Sequence, residues 1–276
     1  MLYLTGAGER DLRGLYRQAR ELGVSAQFLT REQLARLLGP IRTPAPGGLF
    51  FPEDAHLDPG AFVKGMARYL SGRGVRFIEY AAVQKLIHKK NRVEALQLEN
   101  GRVRARQVVL AAGSWTPQLT APMELDVPVQ PAKGYSLTFP WEKPVFTVPM
   151  ILTETKIAVT PFQRRLRFAG TLELAGLQLK INHRRVRAIR KGVQKYLPEL
   201  EPFSRQRGQL WAGLRPCTPD GLPIVGRVPA YPNLIIATGH AMIGISLATG
   251  TGKVVADMVL ERSPEICIHP FRVDRF

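Results

Sequence analysis

The sequence has little with which to bind a metal or build a disulfide framework: two cysteines and five histidines in 276 residues. Cys217 and Cys267 are isolated from each other, and the histidines fall in no zinc-ligand spacing, so both thiols are expected to be reduced and no metal site is predicted. Cys217 lies two residues from Arg215, which could lower its pKa, but it reads first as a packed thiol. Long apolar runs are also missing. No window approaches the roughly twenty apolar residues of a membrane-spanning helix, and the opening MLYLTGAGERDLRG lacks the apolar core and cleavage site of a signal peptide. The expectation is a soluble, non-exported, cytoplasmic chain.

Carboxylates are scarce beside cations, 22 Asp and Glu against 39 Lys and Arg, for a formal net charge of +17 and a sequence pI near 10.5. Such a field attracts nucleic acid, anionic membrane or acidic ligands, and also keeps a protein soluble. The cations do not interleave with stacking aromatics, and no helix-turn-helix or RNA-binding signature occurs. In the densest cluster, NHRRVRAIRKGVQKYLPEL, Val186, Ile189, Val193 and Leu197 recur at helical spacing. Its cations are therefore expected on the solvated side of an amphipathic helix rather than at a nucleic-acid site.

Phosphate-binding loops are absent too. A dinucleotide fingerprint needs a strand, a GxGxxG turn, a helix and a later acidic residue. The only early candidate, Gly6-Ala7-Gly8, has Asp11 in place of the third glycine and no adequate preceding strand. GTGK near the C-terminus fails as a P-loop, because Leu247 replaces the leading glycine and Val254 the hydroxyl residue after Lys253.

Hydrophobic residues make up 45% of the chain, enough for one large domain or two interleaved ones. Periodicity predicts helices over Glu9 to Leu22, after the Thr30/Gln33 capping box, from Asp58 and Pro59 with Phe62, Met66, Tyr69 and Leu70 as the buried face, and over Asn182 to Leu197. Pro40 to Pro52 reads as a loop. Strands are expected at Val75 to Ile78, Val83 to His88 and Val93 to Glu99, with Asn100-Gly101 as a hairpin turn into Val103 to Arg106. Val108 to Ala112 follows as a buried strand. A β-rich stretch comes next, at Val129 to Phe139, Val145 to Leu152, Lys156 to Pro161 and Leu166 to Leu172.

The C-terminal stretch WAGLRPCTPDGLPIVGRVPAYPNLIIATGHAMIGISLATGTGKVVADMVL organises the rest. It reads as a loop, a buried strand over Asn233 to Thr238, a glycine-punctuated turn and a helix from Ser246 to Leu260. That order aims backbone N–H groups and a helix dipole at an electron-rich ligand. Arg215, in the loop, has the planar fork that holds a carboxylate through two hydrogen bonds. The alternative is an ion pair with Asp220 that pins the loop.

GLRPCTPDGLPIVG followed by NLIIATGHAMIGISLATGTGKVVADMV resembles the C-terminal signature of the flavin-dependent D-amino-acid dehydrogenase, glycine oxidase and D-amino-acid oxidase family. HLDPGAFVKGMARYL, VVLAAGSWTPQL, PVQPAKGYSLTF, KIAVTPFQRRLRFAGTLELAG and HPFRVDRF extend it through most of the chain. The resemblance implies an α/β (α+β) fold: the C-terminal part of a two-domain FAD-dependent oxidoreductase, its incomplete FAD-binding domain interleaved with a β-sheet substrate domain. Residues 1–48 and 128–206 would form the substrate domain, and 49–127 with 207–276 the FAD-binding part. It also implies that roughly the first hundred residues of a family member, with the Rossmann fingerprint, lie outside this sequence.

By the same resemblance, Arg215 anchors the carboxylate of a small amino-acid substrate. Val83, Ala111, Ala112 and Gly113 flank FAD on its adenosine side, and His240, Ala241, Met242, Ile243, Gly244, Ile245 and Ser246 line the flavin. His240 is expected to act through backbone contacts, so no catalytic side chain is assigned. Some relatives supply a tyrosine from the strand matching Lys156 to Thr160, where none occurs here. The implied reaction is oxidation of the C–N bond of a D-amino acid or similar small amino acid to an imino acid. Three alternatives stand beside it: an inactive truncated remnant, a subunit completed by a separate Rossmann-bearing chain, and, more distantly, a basic nucleic-acid-binding module. A peripheral contact with the inner membrane is open as well.

Overall fold

The computed structural model describes residues 1–276, the side chain of residue 204 excepted. The chain forms two compact units that alternate along the sequence. Unit 1 comprises Met1–Asp58, Gly134–Leu172 and Leu179–Gly213, and unit 2 comprises Pro59–Lys133, Glu173–Gln178 and Leu214–Phe276. The fold class is mixed α/β.

Unit 1 opens with β1 (Leu2–Tyr3) and α1 (Gly6–Glu21). The helix starts ahead of the expected Glu9 because Thr5 caps it, its hydroxyl accepting from Gly8 N–H at 3.2 Å. The Gly6-Ala7-Gly8 turn is thus the first turn of α1, and its anion is internal. The Glu154 carboxylate accepts from Leu4 N–H, Thr5 N–H and the Thr5 hydroxyl, each at 2.9 Å. A Cβ on Gly8 would lie 2.3 Å from Glu154 Oε1. Burial pushes the Glu154 carboxyl up, but the hydrogen bonds from Leu4 and Thr5 outweigh it and hold the group below its ordinary range.

β2 (Gln27–Thr30) runs into α2 (Arg31–Leu38), where the capping box forms as read: Gln33 N–H donates to Thr30 Oγ1 and Thr30 N–H to Gln33 Oε1. β3 (Gly47–Phe50) corrects the loop expected there. Unit 2 then contributes α3 (Pro59–Ser71), β4 (Val83–Lys89), β5 (Arg92–Leu98), β6 (Gly101–Arg104), β7 (Val108–Leu110) and α4 (Thr116–Thr120). Two expectations fail in this region. Residues 75–78 form no strand, and α3 has no buried residue, although Phe62, Met66, Tyr69 and Leu70 lie at the spacing of a buried face.

β8 (Gln130–Pro140), β9 (Met150–Leu152), β10 (Ile157–Phe162), β11 (Arg165–Glu173), α5 (His183–Tyr196), α6 (Glu201–Arg205) and β12 (Gln209–Cys217) follow. β13 (Ile224–Val228), β14 (Tyr231–Thr238) and α7 (Gly244–Val259) complete the set. Arg215 therefore stands on a strand, not in the loop the Gly-Pro-rich sequence suggested.

The eight-stranded sheet runs β12-β8-β11-β10-β9-β1-β3-β2. β10 alternates buried and half-buried residues, its Ile157 and Val159 entering the unit 1 core with Phe139, Phe168 and the buried face of α5. That face is Val186, Ile189 and Val193, as the periodicity predicted, and His183, Arg184, Arg185, Arg187, Lys191 and Lys195 are exposed; Arg190, expected on the solvated side with them, is instead half-buried and donates to Phe203 O at 3.2 Å and Gln206 O at 3.1 Å. Unit 2 is built on two three-stranded sheets, β13-β14-β7 and β4-β5-β6. They share a core containing Leu86, Val93, Leu110, Leu234 and Ile236. Asn233 pins them together: its Oδ1 accepts from Val93 N–H at 3.0 Å, and its Nδ2 donates to Val93 O at 2.8 Å and Arg106 O at 3.2 Å.

Candidate functional site

β14 and β7 are parallel, with Leu234 opposite Val108, Ile235 opposite Val109 and Ile236 opposite Leu110. Both strands therefore release their turns at the same end, and in open α/β sheets ligands bind outside the carboxyl ends of the strands. β7 leads into Ala111, Ala112 and Gly113; β14 leads into Gly239 and His240. Thr238 ties the two turns together, its hydroxyl donating to Gly113 O at 3.1 Å and accepting from the Thr116 hydroxyl at 3.4 Å.

The backbone of both turns is left-handed at defined points: φ is +54° at Gly113, +78° at Gly239 and +44° at Ala241. A Cβ on Gly239 would also lie 2.6 Å from Thr218 Cγ2, so this position requires glycine twice over. Ala241 accepts its conformation while its N–H donates to Pro216 O at 2.9 Å. That bond joins the glycine turn to the residue after Arg215. Pro216 is also the nearest neighbour of the Gly113 turn, its Cγ 4.0 Å from where a Cβ would stand.

Arg215 is half-buried on β12. Burial pushes its guanidinium pKa down and the neighbouring Cys217 opposes the shift; an arginine remains cationic throughout the physiological range. The Asp220 pairing weighed for Arg215 goes to another residue. Arg275 takes the Asp220 carboxylate with its fork, Nε to Oδ2 at 2.8 Å and Nη2 to Oδ1 at 3.0 Å. These bonds, led by the Arg275 hydrogen bond, draw the Asp220 carboxyl down to about 2.

His240 is half-buried and its Nε2 lies 2.9 Å from Thr251 Oγ1, two turns along α7. Burial lowers its pKa, which favours the neutral imidazole. The rim beyond it is apolar and exposed at Met242, Ile243 and Ile245. α7 begins at Gly244 with no side-chain cap on its first turn, leaving its leading N–H groups for a ligand. One further polar atom needs a partner: Ser114 is 3% exposed and its Oγ has no hydrogen-bond partner among the described residues.

Ala111 to Gly113 and His240 to Ser246 are thus brought to one end of one sheet, and Pro216, the residue after Arg215 on β12, is bonded to the second of these turns. Val83 is not part of that end. It starts β4 opposite Leu98 and joins only through the core cluster it shares with Ala112. Reading the sequence missed Thr116, Thr238, Thr251 and Ser114, the hydroxyls that fasten or face the turns; Thr238 ends a strand and Ser114 and Thr116 follow a small-residue turn, whereas Thr251, inside α7, carries no such signal.

The two turns thus carry uncapped N–H groups, a buried hydroxyl without a partner and exposed apolar side chains. A family model described as FAD dependent oxidoreductase matches residues 1–258. The chain belongs to that family. A D-amino acid dehydrogenase from Methylobacterium sp. (strain 4-46) is 40% identical over 245 residues, covering 87% of this chain and 57% of the relative. One from Paramagnetospirillum magneticum is 36% identical over 241 residues, covering 87% of this chain and 56% of that protein. The chain thus spans a little over half the length of the curated relatives it matches. The crystal structure of glycine oxidase from Geobacillus kaustophilus superposes with a TM-score of 0.91 at 25% identity, over all of this chain and 74% of that one. The family is FAD-dependent, and the neighbouring solved structures are two-domain oxidoreductases of the same fold.

Proposed function

We propose that this chain forms the substrate-anchoring and flavin-lining part of an FAD-dependent oxidoreductase that oxidises the C–N bond of a D-amino acid or similar small amino acid to an imino acid. The observation that carries the reading is that the two small-residue turns at the carboxyl ends of β7 and β14 are tied together by Thr238, and that the second is bonded to Pro216, the chain neighbour of Arg215. Names of relatives support the substrate class: two are D-amino acid dehydrogenases and one structural neighbour is a glycine oxidase.

FAD, when bound, supplies the hydride acceptor. The residues of this chain supply position. Arg215 holds the substrate carboxylate through two parallel hydrogen bonds, and its partial burial strengthens them by thinning the surrounding water. The first N–H groups of α7, with Ser114 Oγ and the turn at Ala111 to Gly113, would hold polar atoms of the cofactor, while Met242, Ile243 and Ile245 exclude water from its face. His240 stays neutral and fixes the turn against α7 through Thr251. It takes no proton from the substrate. The amine is oxidised in its neutral form, so orientation rather than a strong base governs the rate.

The test is a titration of the purified chain with FAD, followed by visible absorption and then by D-amino-acid turnover. A flavin spectrum perturbed by the chain, with turnover lost in Arg215→Ala while the spectrum is retained, is the expected result. A chain that neither perturbs FAD nor turns over any D-amino acid, alone or with a Rossmann-bearing partner, would refute the reading.

A further inference from the structure

The hairpin of β10 and β11 carries Arg164, Arg165 and Arg167, and the three are not partnered alike. Arg164 pairs with Glu142 and Arg165 with Asp58. Arg167 is half-buried, yet no carboxylate takes it. Its Nε donates to the Thr138 hydroxyl at 3.2 Å, and the Phe162 ring centroid lies 5.1 Å from its Cζ. Neither contact uses the two Nη groups, which make no hydrogen bond or ion pair among the described residues. Burial pushes the Arg167 pKa down; Asp58 opposes that shift and Arg165 adds to it. The guanidinium stays cationic. Unit 1 therefore holds a partly desolvated charge without the bonds that ordinarily offset its lost water.

Across the ladder, Thr160 stands directly opposite Arg167. Residues so placed share one face of the sheet, with Cβ atoms about 4.5–5.5 Å apart. The Thr160 hydroxyl has no hydrogen bond among the described residues. Thr160 also lines a cavity of about 510 Å³ within unit 1, walled by apolar side chains such as Leu49, Ile151 and Ala158, with the exposed Asp54 and His56 among its polar lining. That volume suits a small organic molecule. A neutral apolar guest would leave the fork bare, and a small inorganic anion would leave the cavity unfilled. We infer that Arg167 and Thr160 form an oxyanion site for a carboxylate bearing an apolar chain. The two Nη groups and the Thr160 hydroxyl donate to the carboxylate, and the chain enters the cavity.

This site is independent of the flavin reading, and its test keeps the two apart. The full 276-residue chain is titrated calorimetrically with hexanoate, and with hexan-1-ol as the uncharged control. Hexanoate is expected to bind about tenfold or more tightly than the alcohol, and Arg167→Gln to remove that advantage. Thr160→Val should weaken hexanoate about threefold, and Ala158→Phe, which fills the cavity, should weaken it about tenfold. These two variants keep the bond between Arg167 and Thr138, so they carry the test if Arg167→Gln fails to fold. Arg215→Ala should bind hexanoate as wild type does. A parallel titration with 4-methyl-2-oxopentanoate separates two sources of the same chemistry, a fatty acid and a 2-oxo acid, by which binds more tightly. Equal affinity for hexanoate and hexanol, no hexanoate binding up to about 10 mM, or wild-type affinity in the folded Arg167 and Thr160 variants would each overturn the inference. Loss of hexanoate binding in Arg215→Ala would overturn it as well, by placing the carboxylate on the anchor already described. Absence of FAD binding or turnover bears on the flavin reading alone.

Discussion

Arg215 is the residue on which the chemistry turns, and its replacement distinguishes anchor from scaffold. A charged hydrogen-bonded pair contributes about 1.5–3 kcal/mol. Arg215→Ala is therefore expected to lower kcat/KM for a D-amino acid by about ten- to a hundredfold or more, while FAD absorbance and thermal stability stay near wild type. Arg215→Lys should recover little, because a point charge cannot reproduce the fork. Equal kinetics in all three proteins would assign the arginine to structure. Asn233 has the opposite character: its amide serves only the fold. Asn233→Ala leaves the buried Val93 N–H and the Val93 and Arg106 carbonyls short of partners, and should cost about 2–3 kcal/mol in urea unfolding. Arg215 could be singled out from the sequence because an arginine between apolar and proline residues is conspicuous. Asn233 could not: the sequence reads it as the first residue of a buried strand, and nothing local shows that its amide reaches the backbone of β5.

Among the elements, the β14-turn-α7 unit depends on one backbone position. Gly239→Ala combines a left-handed φ of +78° with a clash against Thr218 and the Ile224 backbone. It should destabilise the chain by about 1–3 kcal/mol and loosen the contact between Ala241 and Pro216, seen as faster amide exchange at Ala241. Retained protection there would mean that the turn relaxes locally. Elements governed by local rules were readable from the sequence: the Thr30 and Gln33 box, the periodic apolar face of α5 and the apolar run of β14 all act within a few residues. Elements governed by distant partners were not. β12 is a strand because β8 pairs with it at the sheet edge, and the periodic face of α3 does not say whether anything covers it. The Val75 to Ile78 prediction failed for the same reason, since strand propensity becomes a strand only when a ladder is present.

At the scale of the whole molecule, acid should act through the fork between Arg275 and Asp220, which links the last residues to the loop after β12. The carboxyl is held at about 2, below its ordinary 3.8, so the folded state binds its proton more weakly than the unfolded chain. The stabilisation is fully present above the ordinary carboxylate pKa and is lost as pH falls through about 2. Asp220→Asn should consequently be less stable than wild type at pH 7, with the gap shrinking as pH falls from about 4 and mostly closed by about 2; a gap of undiminished size at pH 2 would place the effect in packing. None of the relatives was needed to see this pair, nor was it visible in the sequence, where Arg215 was the nearer candidate.

α5 has a consequence of its own. Its exposed face carries Arg184, Arg185, Arg187, Lys191 and Lys195 with no carboxylate in the helix, and two of these cations stand in the first turn, where the dipole disfavours them. With a net charge of +17 behind it, that face works against folding in dilute buffer. Counter-ions relieve it as the Debye length shrinks from about 30 Å at 0.01 M to about 3 Å at 1 M. The melting temperature should therefore climb with added sodium chloride across that range, and Arg184→Glu with Arg187→Glu should flatten the climb.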